Sequence, residues 1–186
     1  MDTVGGDNTP VNTGWRGGAF REFELLVGRD LQRIPCFVHL VELPGRWMFR
    51  HYDGPPNGPE TWPGVIGRVI TGNIQTLPIV EFEKMPNPEF PVVKDEKLKS
   101  LTTDQKYFVK MSQAVMSGEV PATLADDKPG PMTGTRWLTS WSRILRYYVS
   151  LEAPSFEMKR LVHFLIYVLG PAWLLGKWNS HISQVC

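Results

Sequence analysis

The sequence predicts an α+β fold, and three observations carry that prediction. Near the N-terminal end a strand-like alternation, with Ile34, Cys36 and Val38 set against Arg33 and Pro35, runs directly into a helical pattern. From Leu101 onward the chain reads as successive helices, with caps, apolar faces and stops in the right order. Between the two lies a region too dense in Pro and Gly for either regular element. With 42% hydrophobic and 21% charged residues over 186 positions, the chain has material for a core, which excludes wholesale disorder.

Thr13 is placed to cap a helix running to Val27, with Gly28 as its stop, and Phe20, Phe23 and Val27 fall on one side of it. Residues 31–37 form the short strand, and Pro35 makes it an edge strand or an early-ending one. From Val38 the pattern is helical through Leu40, Leu43, Trp47 and His51, with Pro44-Gly45 predicting a kink and Asp53-Gly54 an end. Residues 53–67 hold four Pro and four Gly, so no regular element is expected there. Residues 79–82 suit one short strand. Pro86, Pro88 and Pro91, with Glu89, Asp95 and Glu96, then make an extended polar linker. The main boundary is set there, dividing the chain into residues 1–97 and 98–186.

In the second part Thr102 and Gln105 have the spacing of a capping box, Tyr107, Phe108, Met111, Ala114 and Val115 give an apolar face, and Gly118 is the stop. Residues 127–131 form a turn and residues 136–149 the next helix. A further helix starts at Pro154 and runs to Leu169 before a Gly170-Pro171 break. The apolar run 161–176 is shorter than the roughly 20 residues of a bilayer span and is interrupted. A buried or partner-docking helix pair is therefore expected in place of a membrane span.

A formal net charge of +1 excludes the strong overall field of a nucleic-acid coat protein, so any DNA contact must come from a local basic face. The helix over 136–149 offers one. At helical spacing Leu138, Trp141, Leu145 and Tyr148 line one side, while Arg136 and Arg143 stand nearly opposite, and Arg146 is a third candidate phosphate contact. The two cysteines, Cys36 and Cys186, and the lack of a basic-then-apolar leader point to a reduced intracellular compartment, the nucleus included.

Candidate chemistry is sparse. The sequence has no G-x-S-x-G, no P-loop and no G-x-G-x-x-G. Cys36 and His39 form a lone C-x-x-H pair, whereas a structural zinc site needs four ligands. They are expected as adjacent buried residues at a strand-to-helix junction, without zinc. Asp7, in GGDNTPVNTG, reads either as an Asx-turn or as a metal-binding carboxylate at a strand end.

Taken in order, GGDNTPVNTG, IPCFVHLVEL and Arg136-Trp137 resemble the catalytic-domain landmarks of hAT-family DNA transposases. In that family an acidic residue sits at a strand end, a C-x-x-H pair opens the next helix, and an Arg-Trp pair precedes a helical insertion. LTTDQKYF and RWLTSWSRILRYYV extend the resemblance over most of the chain. It implies a truncated RNase H-like portion, followed by a mainly helical portion resembling the insertion region. It also implies Asp7 as a vestigial catalytic and metal-binding acid, with Cys36, His39 and Trp137 as structural residues near it.

Two-metal enzymes use several carboxylates to hold ions about 4 Å apart. The strand for the first acid would precede Met1, and neither Glu152 nor Glu157 is marked as the third. The expectation is a transposase-derived fragment that is inactive on its own and has no cofactor. Magnesium or manganese would enter only if other acids completed the site at Asp7, and DNA is the implied partner. A different reading is a non-enzymatic module that docks a protein partner, or self-associates, through its apolar C-terminal helices. A third is a metal-dependent nuclease completed by another chain.

Overall fold

The computed structural model describes residues 3–7, 9–58, 61–130, 132 and 137–179. Within these the fold is mixed α and β, mostly helical, with one two-stranded sheet. Strands β1 (Thr3–Gly6) and β2 (Gln32–Pro35) pair in parallel, with Thr3 opposite Gln32 and Gly6 opposite Pro35. Parallel strands need a crossover between them. It is supplied by α1 (Pro10–Thr13) and α2 (Ala19–Val27).

The single helix predicted from Thr13 is thus split. Gly14, Gly17 and Gly18 fall where its first turns would lie, and each glycine costs a helix about 1 kcal/mol relative to alanine. Gly28 ends α2 with φ 71°, as predicted. The buried face of α2 also differs from the predicted one. Phe20 and Glu24 are buried, whereas Phe23 and Val27 remain half exposed. The face is selected by Glu24, whose Oε2 accepts from Arg33 Nη2 of β2 at 3.0 Å.

Helix α3 (Phe37–Asp53) follows β2 after Cys36 and runs on through Pro44. Its buried residues are Gly45, Phe49 and Asp53, which leaves Trp47 and His51, the apolar positions of the sequence pattern, facing outward. Helix α4 (Val65–Thr71) occupies part of the stretch expected to be irregular, and a 3₁₀ turn (Ile74–Thr76) follows it. What makes a helix possible among so many glycines is Asp53. Its Oδ1 and Oδ2 each accept a backbone N–H at 2.7 Å, from Ile66 and Gly67. These are first-turn donors with no partner inside α4. A Cβ on Gly64 would sit 2.0 Å from the Asp53 carbonyl oxygen, so this approach requires glycine.

No ladder forms over 79–82, and the predicted strand is instead an extended segment tied to helix ends. Val80 N–H donates to Val149 O at 3.1 Å and Met85 N–H to Val115 O at 3.0 Å. The proline-rich stretch is likewise packed down, unlike a solvated linker. Asn87 Nδ2 donates to Ile166 O at 2.9 Å, the Tyr167 hydroxyl donates to Pro86 O at 2.6 Å, and Phe90 is buried.

The remaining helices are α5 (Asp95–Lys99), α6 (Thr103–Ser117), α7 (Ala122–Asp126), α8 (Trp137–Tyr148), α9 (Phe156–Phe164) and α10 (Gly170–Trp178). The predicted capping box opens α6, with Gln105 Oε1 accepting from Thr102 N–H at 3.1 Å, and Gly118 closes it at φ 86°. The predicted break at Gly170-Pro171 does not occur, because a π turn (Leu165–Leu169) joins α9 to α10. Proline has no N–H and its ring presses on the carbonyl four residues back. The wider turn, in which Gly170 N–H reaches Leu165 O, absorbs that misfit. Among the described residues this one continuous helix, Phe156–Trp178, is long and apolar enough to cross a membrane, and half of it is buried inside the structure.

The chain forms two compact units, Met1–Leu43 with Ala172–Cys186, and Pro44–Pro171. These divide the chain at 43/44 and 171/172, a different partition from the one at residue 97. The core of the larger unit is made by Phe108, Met111 and Val115 of α6, Trp141, Ile144 and Leu145 of α8, and Met158, Leu161 and Val162 of α9. Burying each such side chain is worth about 1.5–3 kcal/mol, so this helical layer dominates the stability of the unit.

Candidate functional site

The carboxyl ends of β1 and β2 form a corner in the smaller unit. Gly6 and Pro35 are register partners, and Cys36 N–H donates to Gly6 O at 2.7 Å. Asp7 and Cys36 therefore leave the sheet side by side, and His39 follows in the first turn of α3. Three of the residues singled out in the sequence are brought together here. Cys36 and His39 are half-buried, less enclosed than expected.

Asp7 Oδ1 accepts from Thr9 Oγ1 at 2.6 Å, Thr9 N–H at 3.1 Å and Asn12 Nδ2 at 2.6 Å. This is an Asx-turn leading into α1. The Thr9 hydroxyl, then the Thr9 amide, hold the Asp7 carboxyl below the usual carboxylate range, and Asn12 and the charge of His39 add to the effect. All three of these bonds fall on Oδ1. Among the described residues no three His, Cys, Asp or Glu side chains converge as metal ligands.

Glu24 is the functional-looking acid that the sequence reading passed over. It is 6% exposed and accepts from Arg33 Nη2, Arg21 Nη1 and Leu31 N–H. The Arg33 contact, followed by the Leu31 amide, lowers its carboxyl against the opposing effect of burial. It ties α2 to β2 across nine residues, a pairing that no helical or strand periodicity reveals.

The arginine face of α8 differs from its predicted form. Arg136 lies outside the described residues. Arg143 and Arg146 are 7% and 2% exposed, inside the core of the larger unit and not on a solvated cationic stripe. Arg143 donates to Ile70 O and Gly72 O, and to Gly130 O at 3.3 Å. Arg146 Nη2 donates to Leu77 O at 2.6 Å. The first two acceptors close the C-terminal end of α4, where unpaired carbonyls and the helix dipole favour a cation. Burial pulls both guanidinium pKa values down, and it pushes the nearby Tyr107 hydroxyl up to about 12.

Trp137 belongs to the same core. Its ring centroid is 5.2 Å from Trp62, 5.0 Å from Trp141 and 6.0 Å from Phe49, and Arg46 Cζ lies 5.4 Å from it. Comparison with protein-family models, curated proteins and solved structures finds no match for this chain.

Proposed function

We propose that this chain is a transposase-derived protein of hAT-like ancestry that binds nucleic acid and does not cut it. In this reading the smaller unit is part of an RNase H-like sheet, and the helices from α6 onward correspond to the insertion region. The supporting observation is the corner itself. An acid and a C-x-x-H pair emerge together from the carboxyl ends of adjacent parallel strands, the edge where open α/β sheets carry their ligands. The proposed loss of catalysis rests on Asp7, whose Oδ1 is engaged by Thr9 and Asn12. The setting proposed is intracellular, where reduced cysteines are the rule.

Incubation of the purified chain with end-labelled DNA and magnesium or manganese tests this. Intact DNA is the expected outcome. Metal-dependent cleavage that disappears in Asp7→Ala would overturn the non-catalytic reading and assign the corner as a working centre.

A second reading, a protein-docking module, is favoured by apolar side chains left exposed on the C-terminal helices: Phe156, Val168 and Leu175 are 63%, 50% and 62% exposed. It differs in its response to salt. Apolar docking is little affected, whereas phosphate contacts weaken steeply.

A further inference from the structure

The outward face of α3 in the larger unit carries an exposed indole with an arginine laid over it. Trp47 is 67% exposed, although tryptophan is a residue most proteins keep covered. The guanidinium of Arg50 lies over its ring, 5.2 Å from the centroid. His51, one turn beyond Trp47, is also exposed, as is Arg68 of α4. Arg68 directly follows Gly67, whose N–H donates to Asp53, the last residue of α3.

Arg50 carries the positive charge beside Trp47, whereas Arg46 of the same helix packs over the ring of the buried Trp137. Asp53 is 8% exposed, with both oxygens bonded to amides of α4, so it offers no counter-charge at the surface. An arginine lying on one face of an indole keeps the edge of its N–H fork available.

We propose that this face binds single-stranded nucleic acid, with an unpaired base stacking on Trp47 and the neighbouring phosphates paired with Arg50 and Arg68. The inference takes its ligand class from the nucleic-acid reading above and adds the surface and the strand form. A single strand exposes the π-face of every base, and an aromatic platform edged with arginine suits it without any base-edge readout. A duplex hides those faces.

The test is fluorescence anisotropy of the full chain with a labelled oligothymidylate of about 20 nucleotides and a duplex of equal length, at several salt concentrations. The wild type should bind the single strand more tightly than the duplex. Trp47→Ala should weaken single-strand binding about tenfold while the thermal melt stays cooperative. Arg50→Gln and Arg68→Gln should each flatten the single-strand salt slope by about 0.7.

Unchanged single-strand affinity in a folded Trp47→Ala variant would remove α3 from the interface while leaving nucleic-acid binding standing. A wild type that binds neither oligonucleotide would overturn both readings. Trp47-dependent binding to phosphatidylserine vesicles, without oligonucleotide binding, would assign the face to a membrane and overturn the inference.

Discussion

Arg143 and Arg146 differ by one helical turn and by what their removal leaves behind. Replacing Arg143 with Met keeps the stem volume and strips donors from the carbonyls of Ile70 and Gly72, the C-terminal end of α4. A buried acceptor left unpaired costs about 1–3 kcal/mol, and Ile70 O is buried whereas Gly72 is exposed, so the expected loss is about 1–3 kcal/mol in a urea titration. Arg146→Met should cost less. It sacrifices one bond, to Leu77 O, while Arg146 Nε and Nη1 have no protein acceptor and a desolvated charge is removed. A greater loss at Arg146 than at Arg143 would contradict this division of roles. The sequence could not distinguish these arginines from surface ones, because Ile70 O and Leu77 O, which they bond, lie about seventy residues away, in α4 and just past the 3₁₀ turn.

At the scale of elements, two carboxylates tie the smaller unit together locally: Glu24 joins α2 to β2, and Asp7 joins the end of β1 to α1. Both have pKa values lowered in the fold, Glu24 chiefly by Arg33 and Asp7 chiefly by Thr9. The folded state therefore holds its carboxylates ionised at a pH where the unfolded chain has begun to take up protons. Their contribution is fully present above the ordinary Glu value of 4.5 and is lost as pH falls through the folded-state values. Amide exchange in residues 19–27 and 32–35 should accelerate on acidification below that value, and Glu24→Gln should remove most of the pH dependence. Exchange that is indifferent to pH there, after correction for intrinsic rates, would show that the pairing does not hold α2 to β2.

Where cause and effect are local, these elements were legible. The stop at Gly28, the strand ending at Pro35 and the capping box at Thr102 all depend on residues within one turn. Where the partner is distant, reading failed. Helix α4 needs the Asp53 carboxylate, and the outward turn of Trp47 follows from Phe49 taking the inner face against Trp62, ring centroids 4.9 Å apart. The helix through Pro171 depends on a π turn, which no residue type marks.

On the whole-molecule scale, the adjacency of Asp7, Cys36 and His39 was legible, whereas the place of Trp137 in the core of the larger unit and the burial of Arg143 and Arg146 were not. Asp7, Cys36 and His39 meet because consecutive strands pair in parallel and their exits must then adjoin. Arg143 and Arg146, placed on a DNA-facing stripe, are instead core residues of the larger unit. The central claim is that the chain grips a phosphate backbone without turnover. It is tested most directly by DNA affinity measured across a salt series in the presence of magnesium. The account predicts that log K falls linearly with log salt, by about 0.7 for each single-strand phosphate contact, and that the DNA is recovered intact. Affinity indifferent to salt, or the absence of binding at low salt, would contradict it.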